Sequence, residues 1–389
     1  MPYAAAISSL ENTSRAFEQI CNEALSRLPN PELALAFFSS HHLADVGDVG
    51  PDLVKRLGVK ALIGCAGESI ACGGEEIEKA PAVSLWLANW GGRVQIEPFH
   101  LSVEQTPDGW SLLGWPDSVL DANPAESAML VLGDPYTFPA DKLFLPRINE
   151  DHAGLRVIGG MASGMPGPGH QALVLNGEMV EDGAIGVLLR GPVKVRSIVS
   201  QGCRPVGKPL IVTKCEENII LGLGGKTPLE QLRELWPQLS QRDRDLFQRG
   251  PHIGMVLNEY QEKFDRGDFL VRNIAGLDSN TGAIAVMDYM RVGQTVQFHV
   301  RDADAADEDL HLLLKRDREI NGPAAGALLF TCNGRGSRLF GRPNHDAAAI
   351  QTEVGQIPLA GMFCAGELGP VGGRNFIHGF TASVALFKD

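Results

Sequence analysis

The feature that most constrains this chain is a recurrence of short apolar segments. Four stretches, "LALAFFSS", "AMLVLGDP", "IGMVLNEY" and "ALLFTCNG", each run from apolar residues into small or polar ones. They are too short for typical helices and too apolar for a surface, so they read as buried strands. Each precedes a segment with a glycine and a polar or glycine tip: "ALIGCAGES", "RVIGGMASG", "RNIAGLDSN" and "PLAGMFCAGE". A third strand then follows, "AVSLWLANW", "AIGVLLRG", "AIAVMDYM" or "TASVALF". The unequal spacing excludes a solenoid of fixed period and predicts two related halves of two units each. Chance likeness among short apolar strands is the competing reading.

Helical signals lie between these strands. Phe17, Ile20, Cys21, Ala24, Leu25 and Leu28 recur on one face of a helix expected from about Ser9 to Leu28. Near Leu221, "IILGLGGKTPLEQLRELW" passes from a strand through glycines into a helix. Thr227 caps it, Pro228 suits its first turn, and Glu230 reaches back in a capping box. At 389 residues the chain exceeds what one core usually supports. The expectation is an α/β (α+β) protein with mixed β-sheets flanked by helices and pseudo-symmetric halves. The domains are expected at residues 1–222 and 223–389, packed without a long linker.

Charge and cysteine usage narrow the function classes. Thirty-four basic against 47 acidic residues give a net charge of −13, which repels phosphate backbones and anionic lipid. The basic clusters at Arg242 to Arg249 and Lys315 to Arg318 are interleaved with acids and read as solvated helix faces. No nucleic-acid or membrane partner is expected. Seven cysteines without C-x-x-C spacing are not a secreted disulfide framework, and no apolar run spans a membrane. A cytoplasmic protein with reduced thiols is the expectation.

Familiar catalytic motifs are missing. "GLGGKT" lacks the first glycine of a phosphate loop, since Ile220 stands there, and "GMASG" places Ser163 one position from a hydrolase elbow. His41 and His42 are adjacent, which points them apart, so no metal site is expected. No cofactor is expected either.

The last quarter carries the candidate binding residues. "CNGRGSRLFGRPNHDA" sets Arg335, Arg338 and Arg342 between a strand and a helix that Asn344 is placed to cap. Such a helix start beside guanidinium groups suits a carboxylate or phosphate oxygen. A solvated surface loop is the bland reading. Next, "PLAGMFCAGELGPVGGRNFIHGFTASVALF" has six glycines, among them Gly366, Gly372 and Gly373, together with Cys364, Glu367, Asn375 and His378. Glycine lets backbone approach a ligand closely. Glu367 suits an ammonium group or hydroxyl, and Asn375 and His378 suit a polar head. The same residues also fit a tight β-turn with a satisfied histidine. Cys332 and Cys364 read as small buried apolar residues before nucleophiles.

"ALLFTCNGRG", "LFGRPNHDA", "LAGMFCAGELGPVGG" and "NFIHGFTASVALF" resemble the end of the FIST C-terminal domain. "LIGCAGESI" and "VIGGMASG" resemble the FIST N-terminal domain, and the likeness runs from about Leu33 to Phe387. It implies a paired-domain intracellular sensory module that binds a small ligand such as an amino acid. Similar domains occur joined to bacterial signalling outputs and to an F-box. About thirty residues precede the first such strand here and two follow Phe387, so a signal is expected to pass through a separate partner protein. The ligand site is expected at the glycine-bearing strand ends. Its residues are Asn333, Arg335, Asn344, His345, Cys364, Gly366, Glu367, Gly372, Gly373, Asn375 and His378, with Ser163 and Glu68 from the first domain. Two alternatives stay open: an interaction scaffold without ligand, or a hydrolase or transferase using Cys332, Cys364 or His378. Fold-level likeness does not settle chemistry.

Overall fold

A computed structural model describes residues 2–107, 109–170 and 172–389. The chain forms two compact units. One comprises the chain up to Val199 with Leu310–Ile377 and Thr381–Asp389; the other comprises Ser200–Asp309 with His378–Phe380. The expected α/β class with mixed sheets flanked by helices holds. The expected cut between residues 222 and 223 falls inside a strand of the second unit.

The first unit repeats one plan three times. Its first copy runs β1 (Tyr3–Ser8), α1 (Thr13–Arg27), β2 (Leu33–Ser39), α2 (Val46–Leu57), β3 (Ala61–Gly67), the hairpin β4 (Ser69–Cys72) and β5 (Glu75–Glu78), then β6 (Val83–Ala88). The second runs β7 (Gln95–Thr106), β8 (Gly109–Leu113), β9 (Ser127–Gly133), α3 (Leu145–Asp151), β10 (Arg156–Met161), the hairpin β11 (Leu173–Leu175) and β12 (Glu178–Val180), then β13 (Ala184–Arg190). The third opens with β14 (Val195–Gln201) and is interrupted by the second unit.

That inserted unit is a closed barrel of β15 (Cys203–Glu216), β16 (Ile219–Leu223), β17 (Pro251–Val256), β18 (Phe269–Leu277), β19 (Ile284–Val286) and β20 (Thr295–Arg301). Between β16 and β17 lie α4 (Pro228–Leu235) and α5 (Gln241–Arg249). Thr227 caps α4 through the full capping box expected for it. The chain then returns through α6 (Ala303–Asn321), β21 (Gly326–Cys332), α7 (Ser337–Phe340), α8 (His345–Glu353), β22 (Leu359–Cys364), the hairpin β23 (Glu367–Val371) and β24 (Arg374–His378), and β25 (Thr381–Phe387).

In every copy the apolar strand β2, β9 or β21 is central. β2, β9 and β21 pair in parallel with β3, β10 and β22, and antiparallel with β6, β13 and β25. Equivalent glycines mark the register: Gly64 lies opposite Ala36, Gly159 opposite Val131 and Gly361 opposite Leu329. A Cβ on each would meet the facing carbonyl oxygen at 2.5, 1.8 and 2.0 Å, so only glycine lets the paired backbones approach this closely.

The hairpins are exchanged in a ring. β4 of the first copy pairs with β22 of the third, β11 of the second with β3 of the first, and β23 of the third with β10 of the second. Each six- or seven-stranded sheet therefore ends in a hairpin borrowed from another copy. The fourth recurrent segment, β17 to β19, does not follow this plan. β17 pairs antiparallel with β18, and β18 antiparallel with β19. No α-helix joins β17 to β18, and a parallel pair needs such a crossover.

Candidate functional site

The carboxyl ends of β3, β10 and β22 converge in the first unit, each bearing one of the glycine tips seen in the sequence. Ser163, just beyond β10, is buried and ties the three together. Its Oγ donates to the Phe363 carbonyl at 2.6 Å and accepts the Glu68 N–H at 2.8 Å. Its own N–H donates to Ala66 O at 3.0 Å. The Asn333 N–H donates to Cys364 O at 3.0 Å, and the Met161 N–H to Gly366 O at 2.8 Å. Arg338 pairs with Glu68 and donates to Asn333 O at 2.9 Å. Five expected residues, Glu68, Ser163, Asn333, Cys364 and Gly366, thus lie along one junction.

Beside this junction is a cleft of about 710 Å³ lined by Ser40, Leu43, Ala44, Gly47, Gly164, Pro166, Gly169, His170 and Met179. Ser40 leaves the carboxyl end of β2, and Gly164 follows Ser163. Gly164 has φ +79°, and a Cβ there would sit 3.0 Å from Glu68 Cα. The cleft wall and the Glu68 backbone are therefore in direct contact.

Three more expected residues, Arg335, Asn344 and His345, belong to a buried network. Arg335 is fully buried and grips Asp346 with Nε to Oδ2 at 2.7 Å and Nη2 to Oδ1 at 2.8 Å. Thr331 Oγ1 donates to Asp346 Oδ2 at 2.6 Å, and His345 Nδ1 lies 2.8 Å from Oδ1. The His345 ring stacks on Phe340, over which the Arg335 guanidinium also lies. Burial alone raises a carboxyl pKa, but the charge and hydrogen bonds of Arg335 outweigh it and hold Asp346 well below the usual range.

Arg335, Arg338 and the helix start, which suited an exogenous anion, are met by carboxylates of the chain itself. Glu76, on the borrowed hairpin strand β5, accepts the Ala347 N–H of the first turn of α8 at 2.9 Å. Asn344 occupies the N-cap with φ +67° and makes no side-chain cap bond; its Oδ1 accepts the Glu76 N–H at 2.7 Å. Glu78 takes the N–H and the hydroxyl of Ser337. Burial, and next the Asp346 charge, push the Glu76 carboxyl up to about 8. Its Oε2 and Arg335 Nη1 are buried without hydrogen-bond partners.

The remaining expected residues are placed elsewhere. Gly372 and Gly373, at φ +58° and +81°, form the exposed tip of the β23–β24 hairpin. Asn375 clamps that hairpin to β10: Oδ1 accepts Val157 N–H at 2.9 Å, and Nδ2 donates to Leu155 O at 2.8 Å. Glu367 is fully buried, and its Oε2 accepts the Thr381 hydroxyl at 2.9 Å. His378, buried at the end of β24, groups with the second unit. Burial raises the Cys364 thiol well above its ordinary range, so it is protonated at neutral pH and is no thiolate nucleophile. Among the described residues no cluster of three His, Cys, Asp or Glu side chains suits a metal, and no helix is long and apolar enough to cross a membrane.

Asp346, Glu76 and Glu78 carry no sequence signal of their place in this network. Asp346 stood inside a quoted motif; the two glutamates reach the site only through hairpin exchange, which leaves no local signal.

Three exchanged repeats, an inserted barrel and a glycine-tipped strand junction define a two-unit α/β protein with a cleft at its strand ends. The chain belongs to the FIST family: the FIST N domain profile matches residues 32–226 and the FIST C domain profile residues 228–370. FIST domains are associated with sensory signal transduction and small-ligand binding. The chain is similar to the uncharacterized protein Rv0628c of Mycobacterium tuberculosis, at 42% identity over 98% of both chains. It is also similar to the uncharacterized protein Mb0898c of Mycobacterium bovis, at 41% identity over 98% of this chain and 95% of that one.

Proposed function

We propose that this protein is a sensor that binds a small polar metabolite, of amino-acid size and kind, in the strand-end cleft of the first unit. The observation that carries the reading is the cleft itself. Its volume of about 710 Å³ falls within the range of small-molecule sites, and it opens at strand carboxyl ends, where α/β proteins bind ligands. Gly47, Gly164 and Gly169 leave main chain bare along its wall, while Ser40 and His170 offer hydrogen bonds. Occupancy presses on Gly164 and thence on the junction of Ser163, Glu68 and Arg338, which provides a route from cleft to surface. The signal passes to a separate partner protein. Seven cysteines without C-x-x-C spacing support a cytoplasmic setting.

The test begins with native mass spectrometry of the purified protein against its denatured mass, followed by calorimetric titration with the twenty amino acids. A bound adduct, or a saturable amino acid, is expected. Ala44→Trp should fill the cleft and abolish binding while leaving the thermal midpoint nearly unchanged, because Ala44 is exposed. Absence of binding by the wild type, or equal binding by the variant, overturns the reading.

A further inference from the structure

The barrel holds a group of buried polar atoms that its own fold leaves unmatched. β17 and β20 pair antiparallel with His252 opposite His299. Side chains alternate along both strands, so Ile253, Met255, Phe298 and Val300 fill the barrel core while His252, Gly254, His299 and Arg301 share the other face. The His299 ring lies over Gly254, where a Cβ would meet it at 2.3 Å.

His299 is fully buried and His252 is 7% exposed. His299 Nδ1 lies 3.0 Å from the Gln297 carbonyl, which only accepts, so Nδ1 carries the proton and Nε2 is an acceptor. That Nε2 has no partner, and neither does His252 Nδ1. Burial, helped in His252 by the Arg301 charge, lowers both imidazoles to about 4, so both are neutral at physiological pH.

Arg301 completes the group. Its guanidinium lies over the Phe380 ring at 5.1 Å, and the same ring meets His252 edge to face at 4.4 Å. Phe380 holds φ +68°, a left-handed conformation that costs a bulky residue energy and that clusters at functional sites. Stacking satisfies the face of a guanidinium and leaves its in-plane N–H groups to find acceptors. Yet Arg301 Nε and Nη2 are both buried without a partner. These are the two atoms with which Arg335 grips Asp346 in the first unit. Desolvated donors left unmatched are costly, and this pair has the planar spacing of a carboxylate.

We propose that Arg301, His252, His299 and Phe380 form a second site, within the barrel unit, for a small organic carboxylate. The carboxylate seats on the Nε/Nη2 fork of Arg301, the Phe380 ring backs that fork, and an imidazole nitrogen accepts a hydroxyl or ammonium proton of the ligand. The site shares no residue with the strand-end cleft, so it stands whether or not the cleft binds.

The test uses the full chain with ¹⁵N-labelled arginine, following the Arg301 Nε–H resonance assigned by its loss in Arg301→Lys. Sodium acetate, sodium pyruvate and L-alanine are titrated beside acetamide, L-alaninamide and inorganic phosphate. At least one carboxylate should shift the resonance saturably while the amides do not, and Ala44→Trp should leave the titration unchanged. Arg301→Lys, which keeps the charge and loses the fork, should weaken binding of that acid about tenfold or more by calorimetry. The proposal is overturned if no acid moves the resonance, if amides or phosphate alone do so, or if Arg301→Lys binds equally well. Should Arg301→Lys fail to fold, Arg301 labelling in the wild type, assigned by elimination against other arginine variants, decides between the same outcomes.

Discussion

Glu76→Gln isolates the strangest electrostatic feature of the first unit, a carboxyl on a borrowed hairpin that burial and Asp346 push up to about 8. The unfolded chain releases this proton near the ordinary 4.5, the folded chain only near 8. Between those values the folded state binds more protons than the unfolded one, so wild-type stability falls as pH rises. Glutamine has the shape of the protonated form, still accepts the Ala347 N–H, and does not titrate. One pKa unit corresponds to about 1.4 kcal/mol, so from about pH 5 to about pH 7.5 the variant should gain about 3 kcal/mol relative to wild type. Denaturant unfolding of both proteins across that range measures the difference directly, and midpoints should separate by roughly 5 °C in a thermal scan. Parallel pH profiles for the two proteins refute the argument, as they would mean that Glu76 titrates near its ordinary value.

Two further substitutions probe the same unit. Asp346→Asn leaves the fully buried Arg335 without its counter-charge and should cost about 3–5 kcal/mol in denaturant unfolding; a loss under about 1 kcal/mol would show that the pair is not desolvated. Alanine at the three register glycines should destabilise in the order Gly159, Gly361, then Gly64, following clearances of 1.8, 2.0 and 2.5 Å, with about 3 kcal/mol or more for the tightest. A reversed order in unfolding midpoints would contradict the close backbone approach.

Local chemistry announced the elements well. The amphipathic α1 packs through Phe17, Ile20, Cys21 and Ala24, and "LALAFFS" is the fully buried β2, because periodicity and apolar run length act within a few residues. Thr227, Pro228 and Glu230 spelled the start of α4 for the same reason. The glycine tips were legible as strand ends, and Ser163, Glu68, Asn333, Cys364 and Gly366 do meet there.

What the chain alone determined was its inventory: which segments are strands, where glycine must stand, and which family the motifs resemble. Which strands pair was decided by tertiary structure. The fourth recurrent segment has the same apolar pattern as the other three, yet joins a barrel because no crossover helix follows β17. The exchange that carries Glu76 to Ala347 spans 271 residues, and no local preference encodes a contact at that distance. The arginine-rich loop suited a carboxylate or phosphate oxygen of a ligand; packing alone brings Asp346 and Glu68 of the chain itself to Arg335 and Arg338, and Glu76 and Glu78 to the neighbouring backbone N–H groups, because a buried guanidinium must be matched by whatever the fold brings within reach.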